Sequence, residues 1–143
     1  MKKISFFTLL LFFNFYCGQK KTAKRLESIL GIWENKESDY ALKFEVSKNN
    51  GTNDFLFSLI NFRNEKFIIS KANIYENDNN AIIVEIEEAK LSDCTFNSGK
   101  IIVAIVTENK LLLNMKGVSK CWISEDTSIV MEDVQNSLLT KKQ

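Results

Sequence analysis

Histidine is absent from all 143 residues. Without an imidazole there is no Ser-His-Asp or Cys-His nucleophile system, no histidine general base and no His-ligated zinc. Carboxylates alone do not fill the gap. A glycosidase needs two of them at a set distance across a cleft, and nothing fixes such a distance among Glu85, Glu87 and Glu88, or Glu125-Asp126 and Glu132-Asp133. The dense D-x-D-x-D-G pattern of a calcium loop is missing as well. These acids read as solvated faces. No catalytic residue, metal ligand or cofactor is expected, and the chain is not expected to be an enzyme. A charge excess is also missing: 19 Lys and Arg face 18 Asp and Glu, a net charge of +1. Nucleic-acid binders normally show a basic excess, so that class of partner is excluded. Proline is absent too, while Asn, Lys, Ile and Phe are plentiful, a bias of AT-rich codons that carries no function.

The longest apolar run is short. Lys2 and Lys3 precede Ile4 to Phe13, about the 7–15 apolar residues of a secretory h-region. A membrane-spanning helix needs ~20, and Gly18-Gln19-Lys20-Lys21 follows almost at once. A small-residue A-x-A site is absent before Cys17, where Asn14, Phe15 and Tyr16 stand. Cys17 followed by Gly18 instead resembles a bacterial lipoprotein leader. That resemblance implies that residues 1–16 are a signal peptide and that Cys17 is the lipidated first residue of the mature chain. The family usually places a small residue where Tyr16 stands. The expected address is the cell envelope: exported, membrane-anchored through lipid, facing the periplasm or the cell surface. Removing residues 1–16 leaves 127 residues, with 17 cations against 18 anions and a net charge of −1. That is enough for one domain and not two.

Residues 17–25 read as a basic tether. Leu26, Ile29 and Leu30 follow at helical spacing, which predicts a short helical turn over Ala23 to Ile29 ending near Gly31. A β-domain over 26–137 comes next, with a flexible polar tail at 138–143. Gly31 to Glu34 opens it. Tyr40, Leu42, Phe44 and Val46 alternate with polar neighbours, the period of two of a half-buried strand. Asn50-Gly51 supplies a hairpin turn. Asp54 to Phe62 is apolar on both faces. In Lys66 to Tyr75, Ile68, Ala72 and Ile74 share one face, and Phe67, Ile69 and Tyr75 the other. Ala81 to Ala89, Lys100 to Glu108 and Leu111 to Gly117 follow, separated by an irregular loop at Lys90 to Gly99 and a turn at Glu108-Asn109-Lys110. A last strand is predicted over Thr127 to Val134.

About eight strands, with turn signals every 8–14 residues and no core helix, predict an all-β fold: a single antiparallel meander. An open meander leaves two long edges, so closure into a barrel is expected, with a β-sandwich as the alternative.

If Cys17 carries lipid, Cys94 and Cys121 remain as a pair in an oxidising compartment, where such a pair is usually a disulfide. A hairpin turn centred on Asn109 sets Cys121 opposite Asn97, within reach of a loop holding Cys94.

Gly31-Ile32-Trp33 resembles the G-x-W signature on the first strand of lipocalins. The resemblance implies an eight-stranded barrel in which Trp33 plugs the closed end and the open end takes a hydrophobic ligand. Lipocalins also carry an arginine on the last strand that packs on the tryptophan. Here the only arginines are Arg25 and Arg63. Phe55, Phe57, Leu59, Ile82 and Val103 are the candidates to line a ligand pocket. The leading expectation is therefore a monomeric, non-enzymatic binding module for a small hydrophobic ligand. The alternative is a protein-interaction module, such as an envelope inhibitor or immunity-type protein, showing an exposed apolar patch to an envelope partner.

Overall fold

The computed structural model describes residues 22–35, 42–51, 54–60 and 64–143. The leader, Cys17 and most of the tether lie outside the described residues. Among the described residues one helix, α1, covers residues 22–28, in line with the helical spacing of Leu26 and Ile29. Eleven strands follow: β1 (Gly31–Glu34), β2 (Lys43–Lys48), β3 (Phe55–Ile60), β4 (Lys66–Glu76), β5 (Ile82–Leu91), β6 (Cys94–Phe96), β7 (Gly99–Thr107), β8 (Lys110–Lys116), β9 (Cys121–Trp122), β10 (Ser128–Ile129) and β11 (Val134–Lys141).

Eight of these close an antiparallel barrel in the order β1-β2-β3-β4-β5-β7-β8-β11, with β11 returning to β1. Each strand except β11 is followed around the ring by the next barrel strand of the chain. Closure leaves no long edge unpaired, which is the physical reason to prefer it over an open meander. The barrel, not the sandwich, is the architecture.

Alternation fixes which side chains enter. Trp33, Phe44, Val46, Phe57, Leu59, Ile101, Val103, Leu111, Leu113, Met115 and Leu139 are all buried in one cluster. Phe44 stacks on Phe57 with ring centroids 6.2 Å apart, and Phe67 meets Phe96 edge-on at 5.4 Å. Outside, opposite charges face one another along the barrel wall, across β3 from β4 to β2 and between the adjacent β4 and β5. Lys66 reaches Glu45 at 2.9 Å and Lys71 reaches Glu87 at 2.9 Å. The Glu87 carboxylate holds the Lys71 ammonium above its ordinary pKa, and the Tyr75 phenol, then Glu85, does the same for Lys100.

The longest strands change phase midway. On β4, Phe67 and Ile69 point inward, but so do Ala72 and Ile74, while Ile68 is exposed. The cause is an irregularity in the β4–β5 ladder, where the register shifts between Ile69, Lys71 and Ala72. β5 changes phase with it, from Ile82, Val84 and Ile86 to Ala89 and Leu91. A strict period of two therefore assigns Ile68 to the wrong side: one inserted residue exchanges the faces. The Ser70 hydroxyl at this bulge donates to the Glu88 carboxylate, 2.7 Å.

Two further expectations are corrected. The irregular loop at Lys90 to Gly99 contains β6, which folds back on the end of β5 through a tight turn at Ser92 and Asp93, with Ser92 at φ 53°. The last barrel strand lies later than Thr127 to Val134. It is β11, so residues 138–141 of the expected tail pair with β8 and β1. Leu139 is fully buried there. The polar surroundings of Leu139 hid the strand, because its outer face is solvated and a bulge lies between Val134 and Ser137.

Candidate functional site

The barrel has two unlike ends. At one end lie α1, the start of β1, the β4–β5 and β7–β8 turns and the end of β11. Leu26 and Ile29 lower α1 into the core. Arg25 ties it to Glu76 on β4 at 3.3 Å, and Glu27 ties it to Lys48 on β2 at 2.7 Å. The Lys48 ammonium hydrogen bond holds the Glu27 carboxyl below its ordinary pKa. Trp33 is buried beneath the helix, and its indole N–H donates to the Ile29 carbonyl at 2.8 Å. Trp33 and Lys141 are Cα partners across β1 and β11. The Lys141 ammonium sits 5.2 Å from the centre of the Trp33 ring. A cation on the last strand thus stands over the tryptophan. The stem of Lys141 also explains Gly31. A Cβ there would approach Lys141 Cε to 3.3 Å at a φ of +120°, where side chains are rarely tolerated.

Beside this pair lies a half-open cavity of about 420 Å³, bounded by Ser28, Trp33, Ile105, Thr107, Glu108 and Lys141 among others. It mixes apolar walls with a cation, a carboxylate and hydroxyls. None of the five candidate pocket residues borders it. Phe57, Leu59, Ile82 and Val103 are buried within the core cluster instead, and Phe55 is half-buried against it. The Lys48 ammonium stands over the Phe55 ring at 5.3 Å.

At the opposite end the chain leaves the barrel after β8, forms the β9–β10 ribbon and returns as β11. The Cys94–Cys121 disulfide, with Cα atoms 5.8 Å apart, staples this excursion to β6. The approach differs from the one a turn centred on Asn109 predicts. Lys100 pairs with Lys116, because the two-residue turn is tighter and the register shifts between Ile105 and Thr107. Gly99 makes room: a Cβ there would meet Val118 Cγ2 at 2.9 Å and Ile86 Cδ1 at 3.1 Å.

Within the ribbon, Cys121 pairs with Ile129 and both pack on the core. Their immediate neighbours Trp122 and Val130 therefore face outward, and Ile123 is exposed just beyond the end of β9. Trp122 is 62% exposed and Ile123 63%, the largest exposures among the big apolar residues described, and Val130 at 54% equals Val106 on β7. The ribbon is nevertheless held. The Ile123 and Ser124 amides both donate to the Thr127 carbonyl at 2.8 and 3.2 Å. The Gly117 amide donates to Asp133 at 3.1 Å, and Lys120 lies over the Trp122 ring at 5.9 Å.

Trp122, Ile123, Val130 and Lys141 were not predicted as site residues. Lys141 became visible only once β11 was known, since Leu139 and Lys141 alternate onto one face. Trp122 carried no signal of exposure, since its outward placement follows from the pairing of Cys121 with Ile129. Among the described residues no group of acids and cysteines is placed to hold a metal, and no helix is long and apolar enough to cross a membrane. No family model, curated protein or solved structure matches this chain.

Proposed function

We propose that this protein is an exported, non-enzymatic interaction module of the bacterial cell envelope. In this reading Cys17 carries the lipid and the β9–β10 ribbon meets a protein partner. The observation that carries it is the disulfide-stapled ribbon, which leaves Trp122, Ile123 and Val130 in solvent. Exposed aromatic groups rimmed by polar residues mark interaction sites. The ribbon also lies at the end of the barrel away from α1. A chain anchored near Cys17 would hold α1 towards the membrane and the ribbon away from it.

The test is site-specific photo-crosslinking of the full-length chain in cells. A photoreactive residue replaces Trp122 in one strain and Ile68, exposed on the flank of β4, in another. A protein adduct from position 122 and none from position 68 is expected. Equal yields from both positions, or none from position 122, overturn the reading.

A second reading, a carrier of a small hydrophobic ligand, draws on the Trp33–Lys141 pair and the cavity beside it. It predicts that a fatty acid or a hydrophobic dye quenches Trp33 emission saturably in a Trp122→Phe background. A linear, non-saturating response would sink it.

A further inference from the structure

The ribbon carries a charge pattern as distinctive as its exposed side chains. Residues 117–133 contain Glu125, Asp126, Glu132 and Asp133 but a single cation, Lys120. The one cation is already engaged over Trp122. Glu125 and Asp126 cap the ribbon at its tip, between β9 and β10, and both are exposed. Glu132, also exposed, follows Val130 on the way back to the barrel. No ion pair involves Glu125, Asp126 or Glu132 among the described residues. Several acids on the barrel wall differ: Glu45, Glu85 and Glu87 each face a lysine at 2.9 to 3.5 Å. The apolar surface is therefore bordered by three carboxylates that make no ion pair among the described residues, with Lys120 as the one cation beside them.

Resting on the interaction reading, we infer that the ribbon docks into an apolar pocket rimmed by lysine and arginine on a basic protein, with Trp122 as the inserted anchor and Glu125, Asp126 and Glu132 meeting the rim. Charge decides among the occupants. An anionic phospholipid surface repels this acidic ribbon, whereas membrane-seeking segments are basic. A second copy presents the same carboxylates, so an isologous contact would bring like charges together. A basic surface gains on both counts: it steers encounter, and it buries the indole of a residue type enriched in binding hot spots. The staple and the turn hydrogen bonds hold the ribbon before contact, so little chain order is lost on docking.

The experiment uses the full-length chain carrying a photoreactive residue at position 122, and reads the mass and sequence of each adduct. The expected adduct is a partner peptide on a surface where Lys and Arg outnumber Asp and Glu. The triple charge reversal Glu125→Lys, Asp126→Lys, Glu132→Lys is expected to lower its yield about tenfold. Asp133 is left unchanged because it accepts from the Gly117 amide. These three side chains are exposed, so an unchanged melting temperature confirms the fold. As an independent reading, the complex isolated without crosslinking is expected to dissociate as salt rises, since exposed charge pairs are screened within about 8 Å at physiological ionic strength. An adduct with phospholipid or with a second copy overturns the inference. So does a protein adduct indifferent to both charge reversal and salt, although the interaction reading would then stand. Failure to form any adduct from position 122 removes both.

Discussion

Lys141 and Trp33 stand opposite one another on the two strands that close the barrel, with the ammonium 5.2 Å from the ring centre. A cation over an indole contributes about 0.5–1 kcal/mol when exposed and about 2 kcal/mol when desolvated. Lys141 is half-buried, so Lys141→Met, which keeps an apolar stem against Gly31, is expected to cost about 1 kcal/mol. Lys141→Arg is expected to retain most of the stability. Urea denaturation checks both. A methionine variant as stable as the parent would show that the pair is only a packing contact.

The two tryptophans report opposite ends of the molecule. Trp33 is 1% exposed and Trp122 is 62% exposed. Trp122→Phe should leave a blue-shifted emission that acrylamide barely quenches. Trp33→Phe should leave a red-shifted, readily quenched one. Stability separates them as well. Trp122→Ala is expected to change it by no more than about 0.5 kcal/mol, whereas Trp33→Ala should cost about 3–5 kcal/mol. Comparable quenching of both single-tryptophan proteins would contradict the burial of Trp33.

These contrasts show what the sequence can and cannot express. Phe44 and Val46 alternate with polar residues in a strand of constant phase, so β2 was legible, as was the closed meander as a whole. The cysteine pairing was also expected, and Cys94 and Cys121 are joined. The inward face of β4 was not: the bulge between Ile69 and Ala72 leaves no mark in hydropathy, yet exchanges the faces. β11 was missed for a related reason. Its only fully buried side chain is Leu139, and the value of Lys141 depends on a partner more than a hundred residues earlier. The exposed face of the ribbon was illegible because a tryptophan in a sequence is ordinarily read as core. Only the pairing of Cys121 with Ile129 turns Trp122 outward.

Gly99 and Gly117 flank the entry to the excursion, and alanine should discriminate between them. At Gly99 a Cβ would lie 2.9 Å from Val118 Cγ2 and 3.2 Å from Val118 Cα, with φ at +150°. The backbone atom cannot rotate away, so Gly99→Ala combines overpacking of about 1–3 kcal/mol with conformational strain. At Gly117 nothing lies within 4 Å and φ is +66°, leaving only the left-handed penalty of about 1–2 kcal/mol. Gly99→Ala is expected to be the more destabilising in thermal melts. The reverse order would mean that Val118 has room to yield.

The tie between α1 and β2 should respond to acid. The Lys48 ammonium donates to the Glu27 carboxylate at 2.7 Å and holds its pKa below the ordinary 4.5. Folding therefore favours the ionised form. The contribution of the contact is present above the unfolded pKa and disappears as pH falls through the lower folded value. Following the Glu27 carboxyl carbon by NMR should give a midpoint below 4.5 in the parent chain. In Lys48→Met the midpoint should move up towards that value. An identical midpoint in both proteins would mean that the pair is not formed in solution.

The disulfide should matter more to the ribbon than to the barrel. Cys94 and Cys121 are separated by 27 residues. Closing a loop of that length stabilises a fold by about 3.5 kcal/mol through restriction of the unfolded chain. The barrel itself closes through the β4–β5 and β1–β11 ladders, to which neither cysteine belongs. The Cys94→Ser, Cys121→Ser double variant is therefore expected to fold with the same barrel and to lose about 3–4 kcal/mol of global stability. Hydrogen exchange should resolve a second effect. Without the staple, β9 and β10 are held chiefly by the packing of Ile129 and the short ladder between them. Their amides should exchange through local opening well before those of β7 and β8, whose buried Ile101, Val103, Leu111 and Leu113 lie in the core. The photo-crosslinked adduct from position 122 should weaken in parallel, because an unpinned ribbon must be ordered on binding. Simultaneous loss of protection in β7, β8 and the ribbon would show that the excursion and the barrel unfold as one unit, and that the staple does not act on the ribbon separately.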